Sequence, residues 1–311
     1  MNKGKGMDRR RFLQSSLAGL AVGALLNPSG VAAETGKDGG KSIGCLVDTT
    51  LCIGCRKCEE ACQRRNHLPA PERPFHDLTV LETKRRPDDQ RYTVVNRYLP
   101  SELKYGDVAS RPAFVKFQCM HCLDPACVSA CPVGALQKDP SGPVIYTASR
   151  CIGCRYCMIA CPFQIPAYEY QKALAPQVRK CTFCFEFLRD GGVPACAQVC
   201  PQEVMTFGPR DDLLTMARWK LRSAPGRYVN HIYGEKEVGG TSWLYLGGRP
   251  FGEIGLPVLD ESAPPRLTES IQHAVFQFFA GPVALFALVG GGMWFMKRKE
   301  RLARHPEEDK P

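Results

Sequence analysis

Sixteen of the 17 cysteines in this 311-residue chain fall into four groups of four. The first and third groups have the spacing C-x2-C-x2-C-x3-C, whereas the second has four residues in its middle gap and the fourth has eleven. Thiolates repeated at this spacing are typical of iron–sulfur cluster ligands, which predicts one-electron transfer as the chemistry of the chain. In chain order the groups are Cys52, Cys55, Cys58 and Cys62; Cys119, Cys122, Cys127 and Cys131; Cys151, Cys154, Cys157 and Cys161; and Cys181, Cys184, Cys196 and Cys200.

The spacing has a physical reason. Three cysteines in a tight C-x2-C-x2-C loop can wrap one cubane cluster, and Gly54 and Gly153 let the backbone bend closely around it. The fourth cysteine lies about one helical turn, or about 6 Å, beyond the third, so it points toward a second cluster. A proline after that cysteine ends the turn. It is present after three of the four groups, as Pro132, Pro162 and Pro201.

Two other uses of cysteine are open to such a chain. A zinc-holding scaffold would use C-x2-C pairs, although a four-cysteine run that ends in C-x3-C-P is not the zinc pattern. A disulfide framework would suit an exported protein, but C-x2-C spacing repeated four times is not typical of one. Cys45 lies outside the groups, and we expect it to be a small buried apolar residue.

The segments between the motifs must hold the cysteines in place. We expect residues 43–208 to form two ferredoxin-like halves, each a small α+β unit, with short strands at 93–95 and 113–117 and a polar insertion over 63–112. Residues 211–222 have the pattern of an amphipathic helix capped by Asp211. Residues 209–270 are predicted to form an extended C-terminal arm, which is rich in glycine and proline after 223.

The N-terminus has the layout of an export signal, in which basic residues precede a weakly apolar run and then small residues. Arg9 and Arg10 come first, the apolar run covers 16–26, and cleavage is predicted after Ala33. The paired arginines resemble the twin-arginine signal, which directs folded proteins to export. Residues 1–33 are therefore predicted to be a signal peptide that takes cluster-loaded protein to the periplasm.

A run of 23 uncharged residues, 274–296, lies near the C-terminus and as a helix would span about 34 Å. That length predicts a transmembrane helix. One basic residue, Arg266, lies in the fourteen positions before the run, and six lie in the fifteen after it. The positive-inside rule therefore predicts a single-pass protein on the periplasmic face of the inner membrane, with residues 297–311 as a cytoplasmic tail.

The net charge of +10 is concentrated at the two ends of the chain. Residues 1–33 contain five basic groups and one acidic group, and residues 297–311 contain six basic and four acidic groups. No basic stripe has the pattern of a nucleic-acid footprint, so we expect no nucleic-acid partner. The sequence also contains no phosphate loop, Ser/His/Asp set or paired-carboxylate motif, which predicts a non-catalytic subunit.

The four motifs in this order resemble the iron–sulfur subunits of the dimethylsulfoxide-reductase and formate-dehydrogenase type. In that family the first and fourth groups exchange ligands, and so do the second and third. The resemblance implies four [4Fe–4S] clusters, each held by four cysteines. Set A is Cys52, Cys55, Cys58 and Cys200; set B is Cys181, Cys184, Cys196 and Cys62; set C is Cys119, Cys122, Cys127 and Cys161; and set D is Cys151, Cys154, Cys157 and Cys131.

The resemblance narrows at three segments, 118–122, 151–162 and 231–241, which are similar to the membrane-anchored iron–sulfur subunits of periplasmic uptake [NiFe] hydrogenases, the HybA type. It implies an electron relay from the small and large hydrogenase subunits to a multi-span, quinone-reactive membrane subunit. The same relay serving a molybdenum or tungsten enzyme such as formate dehydrogenase is the alternative. A redox-silent zinc scaffold is a further alternative, from another functional class.

Overall fold

The computed structural model describes residues 42–100 and 111–304, apart from the side chains of 267–280 and 302–304 in the last helix. The predicted signal peptide, with Arg9 and Arg10, and the last seven residues of the predicted tail lie outside the described residues.

Short strands and short helices alternate through the described chain. The strands are β1 (Ile43–Asp48), β2 (Val94–Tyr98), β3 (Ala113–Phe117), β4 (Leu136–Lys138), β5 (Val144–Tyr146), β6 (Ala167–Tyr168), β7 (Val178–Arg179), β8 (Met205–Pro209) and β9 (Trp243–Leu246). The helices are α1 (Lys57–Arg65), α2 (Ala126–Ser129), α3 (Tyr156–Ala160), α4 (Phe185–Arg189), α5 (Ala195–Gln198), α6 (Arg210–Ser223) and α7 (Pro264–Arg304). Single turns of 3-10 helix cover Thr49–Leu51, Leu78–Glu82, Ala148–Arg150, Glu237–Gly239 and Phe251–Ile254.

A three-stranded sheet in the order β8-β1-β9 joins the first strand of the chain to its last two strands. β1 runs antiparallel to β8, with Ile43 opposite Pro209, and parallel to β9, with Cys45 opposite Trp243. Three antiparallel pairs complete the strand content: β2 with β3, β4 with β5, and β6 with β7. Helix α1 packs on α5, and α2 packs on α3, so the helices of the first and fourth motifs meet, as do those of the second and third.

Both faces of the three-stranded sheet are buried. On one face, Cys45, Val47, Trp243 and Tyr245 belong to the main core, which also contains most of the buried motif cysteines. On the other face, Leu46, Leu244 and Leu246 pack against Leu213, Leu214 and Ala217 of α6. Alternate residues of one strand point to opposite faces, which accounts for the buried side chains all along β9. Cys45 is fully buried, as predicted.

The segment predicted as an extended arm is part of this fold. Strand β9 extends the sheet, and the backbone N–H of Ser242 donates to the carbonyl of Met120, 3.2 Å away, in the second motif. Helix α6 also differs from the prediction, because Pro209 precedes it and Asp211 lies inside the first turn without a capping hydrogen bond. Glycine and proline in this segment lie at turns between packed residues.

The predicted transmembrane helix at 274–296 is wrong on this structure. Among the described residues, no helix is long and apolar enough to cross a membrane. Pro282 and the three consecutive glycines at 290–292 lower the mean hydropathy of helix α7.

Candidate metal centre

All four C-x2-C turns share one backbone feature, a positive φ at the residue before the second cysteine. That residue is Gly54 (φ 72°), His121 (49°), Gly153 (70°) or Phe183 (56°). The left-handed conformation reverses the chain so that both cysteines of the pair face the same space. Glycine marks this turn in the first and third motifs only, so the sequence signal is missing in the other two.

Short helices then place the later cysteines of each motif. Cys58 and Cys62 lie one turn apart on α1, and Cys157 lies on α3, which ends at Cys161. The backbone of Cys161 is extended (φ −75°, ψ 113°), as expected for a residue before proline. This geometry points the last cysteine of a motif away from the first three.

Set A surrounds a pocket whose lining includes all four of its cysteines. The other lining residues are mostly apolar, including Val47, Val95 and Phe114, and Lys116 also contributes. Burial and the neighbouring thiolates of Cys200 and Cys55 raise the pKa of Cys52 to about 11. Cysteines from the first and fourth motifs therefore face one shared space.

Set B combines the same two motifs in the reciprocal way. Cys62 is buried. Burial is the main cause that raises the pKa of Cys62 well above its ordinary value, and the nearby thiolates of Cys181, Cys196 and Cys184 add to it. Burial likewise raises the pKa of Cys181 to about 12. Cys62 thus lies beside the cysteines of the fourth motif, although it belongs to the first.

Sets C and D show the corresponding exchange between the second and third motifs. Burial and the thiolates of Cys119, Cys161 and Cys127 raise the pKa of Cys122. In set D, burial and the thiolates of Cys131, Cys151 and Cys154 raise the pKa of Cys157 to about 11. All 16 motif cysteines are free thiols, and Cys154 is exposed.

Within the described residues, no three cysteine, histidine, aspartate or glutamate side chains form a site for a single metal ion. A cubane cluster is a larger group, because each of its four irons binds its own thiolate, and the four thiolates stand further apart than those around one ion. Sets of four free thiols facing a common space have the donor chemistry that such a cluster requires.

Buried positive charge provides a second test of whether anionic clusters fit these sets. Lys116 and Lys180 are buried, and Lys138 is half-buried. Among the described residues their ammonium groups donate to neutral acceptors. Lys116 donates to Gln118 Oε1 at 2.8 Å, Lys180 to the carbonyls of Val144 at 2.5 Å and Cys181 at 3.1 Å, and Lys138 to the carbonyls of His121 at 3.2 Å and Gly142. In the described part of the chain no carboxylate forms an ion pair with any of them. Unpaired buried charge is costly, so anionic thiolate-bound clusters complement these lysines.

Backbone and side-chain N–H groups also point at the sulfur atoms. Ala135 N donates to Cys131 Sγ at 3.2 Å, and Phe183 N donates to Cys181 Sγ at 3.4 Å. His121 is fully buried, its Nδ1 accepts a hydrogen bond from Val144 N at 2.8 Å, and its Nε2 has no partner among the described residues. Burial and the charges of Lys180, Lys138 and Lys116 lower the pKa of His121 well below its usual value, which keeps it neutral.

Glu59, which the motif pattern does not single out, fixes the insertion to the first motif. Its carboxylate accepts from Arg56 at 3.0 Å, from Arg85 at 2.6 Å and from Val95 N at 2.7 Å, and its side chain is 3% exposed. Arg56 also donates to the carbonyls of Pro74 and Asp77. The charged residues of the motif and the insertion do not show which of them pair in the interior. The sequence therefore did not predict the ion pairs of Glu59 with Arg56 and Arg85.

Comparison with known proteins agrees with this chemistry. The 4Fe-4S dicluster domain family matches residues 111–210. A protein of Nitratidesulfovibrio vulgaris is 46% identical over 97% of this chain and 80% of its own length. The hydrogenase-2 operon protein HybA of Escherichia coli O157:H7 is 36% identical over 90% of this chain and 93% of its own length. The iron–sulfur subunit of the nitrate-inducible formate dehydrogenase of Escherichia coli K12 is 32% identical, over 65% of this chain and 66% of its own length.

A relative that matches this chain nearly end to end establishes the family. The chain belongs to the HybA-type family of iron–sulfur electron-transfer subunits and binds [4Fe–4S] clusters.

Proposed function

We propose that the chain relays electrons through four [4Fe–4S] clusters, one in each of sets A to D, between a catalytic subunit and a quinone-reactive membrane subunit. The observation that carries this proposal is the convergence of thiols from different motifs, the first with the fourth and the second with the third. When bound, the clusters accept and release single electrons. The polypeptide positions them, shields them from water and places N–H groups and ammonium charges around their sulfur atoms.

The proximity of cysteines in successive sets supports a linear path in the order A, B, C, D. Cys58 of set A lies near Cys196 of set B, and Cys181 of set B lies near Cys119 of set C. Cys127 of set C in turn lies near Cys157 of set D. Electrons would enter at one terminal set and leave at the other, and the exposed Cys154 marks set D as one terminus.

A [NiFe] hydrogenase is the proposed catalytic partner, because the HybA relative matches 90% of this chain whereas the formate-dehydrogenase subunit matches 65%. The full-length chain, purified with its native partners, should bring hydrogen-dependent reduction of an artificial dye with it. Copurification of formate oxidation without hydrogen oxidation would remove the hydrogenase assignment and leave the relay intact.

Exchange of ligands between motifs is tested by two cysteines one turn apart on α1. Cys62→Ala should alter the electron paramagnetic resonance signal of set B, because its thiol lies beside Cys181, Cys184 and Cys196. The matched variant Cys58→Ala should alter the signal of set A instead, because Cys58 lines the set A pocket. The signals are assigned with Cys55→Ser for set A and Cys184→Ser for set B. If Cys58→Ala and Cys62→Ala perturb the same signal, the ligand exchange is wrong.

Export through the twin-arginine route is part of the proposal and is supported by Arg9 and Arg10 ahead of a weakly apolar run. It would deliver the folded chain, already loaded with clusters, to the periplasmic side. Replacing both arginines with lysine should leave the precursor inside the cell with its clusters bound. Mature protein appearing outside at the normal level would contradict this route.

A further inference from the structure

One lysine ammonium group lies near cysteines of both thiol sets that combine the first and fourth motifs. Lys116, on β3, is 3% exposed, and its Nζ donates to Gln118 Oε1 at 2.8 Å. The same Nζ lies 4.3 Å from the ring centre of Trp243, which is fully buried. One face of the ammonium group is therefore held by an amide and one by an aromatic ring.

A closed set of hydrogen bonds fixes this position. Gln118 Nε2 donates to Tyr245 Oη at 2.7 Å, and Tyr245 Oη donates to the carbonyl of Lys116 at 2.9 Å. Gln118 is 1% exposed and Tyr245 is fully buried, so solvent does not replace any of these contacts. Because β9 carries both Tyr245 and Trp243, the C-terminal segment sets where the charge of Lys116 lies.

This charge acts on both sets. Lys116 lines the pocket formed by the four cysteines of set A. Its strongest thiolate neighbours are Cys196 of set B and Cys58 of set A, followed by Cys181 of set B. In the described residues its ammonium group has no carboxylate partner. Lys180 and Lys138 lie near cysteines of set C instead, and both also donate to backbone carbonyls in the β4–β5 region.

We propose that Lys116 is a potential-setting residue that raises the reduction potentials of the clusters in sets A and B together. An added electron makes a thiolate-bound cluster more negative, and a fixed positive charge nearby in a water-poor interior stabilises that reduced form. Two adjacent clusters that share one charge are shifted in the same direction, which keeps electron exchange between them close to balanced. The inference rests on the proposed four-cluster function and adds the group that tunes its first two sites.

The test is a redox titration of the full-length chain, purified anaerobically and followed by electron paramagnetic resonance, with iron content measured on every preparation. The signals are assigned with one cysteine variant for each set: Cys55→Ser, Cys184→Ser, Cys122→Ser and Cys154→Ser. Lys116→Met removes the charge at similar length, and Lys116→Arg retains it. Gln118→Glu keeps the shape of the partner but sets a carboxylate against the ammonium group, so it tests the charge without opening a cavity. Lys84→Met is the control, because Lys84 is exposed and contacts Tyr98 instead of a thiol set.

Lys116→Met should shift the potentials of sets A and B to more negative values and leave sets C and D unchanged. Gln118→Glu should shift sets A and B in the same direction and leave set D unchanged. Lys116→Arg and Lys84→Met should leave all four potentials at the wild-type values. If the potentials of sets A and B are unchanged in a Gln118→Glu protein with full iron content, the inference is overturned, whether or not Lys116→Met folds. An equal shift of the potentials of all four sets would also overturn it. A wild-type chain without four clusters overturns the proposed function itself, so the two failures are distinguishable.

Discussion

At the scale of single residues, the left-handed turn within each C-x2-C pair is the conformation on which cluster binding depends. Two of the four positions are glycine, which adopts a positive φ without cost, and two are His121 and Phe183. A left-handed conformation costs a non-glycine residue about 1–2 kcal/mol. His121 and Phe183 pack against each other with ring centres 4.9 Å apart, and this buried contact helps to offset that cost.

Gly54→Ala is predicted to destabilise the set A site well beyond the cost of left-handed backbone alone, because its new Cβ would overlap the ring of Phe114. Gly134→Ala is the matched control, since Gly134 also has a positive φ (60°) and has nothing within 4 Å of a Cβ. The midpoint temperature for loss of the cluster absorbance measures both. Equal losses in the two variants would show that the Phe114 contact is unimportant. Adding Phe114→Ala to Gly54→Ala should recover part of the loss.

At the scale of secondary structure, the insertion after the first motif is held by one buried carboxylate. Glu59 on α1 faces Arg56, the residue before the helix, and Arg85 in the insertion, which places two guanidinium groups on one acid. The backbone N–H of Val95 on β2 donates to the same carboxylate. This network ties the β2–β3 pair to the helix that carries Cys58 and Cys62, so it supports sets A and B at once.

Glu59→Gln is predicted to cost about 3–5 kcal/mol in the free energy of unfolding, because it leaves the buried guanidinium group of Arg56 and the half-buried one of Arg85 without their carboxylate. Glu60→Gln, the adjacent control, should cost less than about 1 kcal/mol, since Glu60 is 41% exposed and lies 3.8 Å from Arg64. Chemical denaturation of the cluster-loaded protein compares the two. A loss in Glu59→Gln no larger than that in Glu60→Gln would mean that the network is not structural.

Some of these elements could be predicted from the local sequence and others could not. Strand 113–117 and the helical turn between the third and fourth cysteines of the first motif follow from short-range patterns, and the structure has both. The parallel pairing of Cys45 with Trp243 joins residues almost 200 positions apart, and no local pattern encodes such a partner. The buried ion pair of Glu59 could not be predicted for the same reason, because its partner Arg85 lies 26 positions away.

At the scale of the whole molecule, cysteines of successive thiol sets lie near one another in the order A, B, C, D, and three buried or half-buried lysines lie beside them. Lys116 lies beside sets A and B, while Lys180 and Lys138 lie near cysteines of set C. Helix α7 differs from the sequence-based prediction. The length and composition of its uncharged run predicted a membrane span, but no helix among the described residues is long and apolar enough for one. Cysteine spacing is a stronger predictor than hydropathy here, because it encodes a specific ligand geometry.

The most direct test of the account is the metal content of the full-length chain, purified anaerobically, together with quantification of acid-labile sulfide and of electron spins after reduction. Four cubane clusters predict about 16 irons and about 16 sulfides per chain. They also predict a brown protein whose reduced spins total about four per chain when each cluster has accepted one electron. A colourless chain that contains zinc and no labile sulfide would contradict the central claim, and about eight irons would reduce the relay to two clusters.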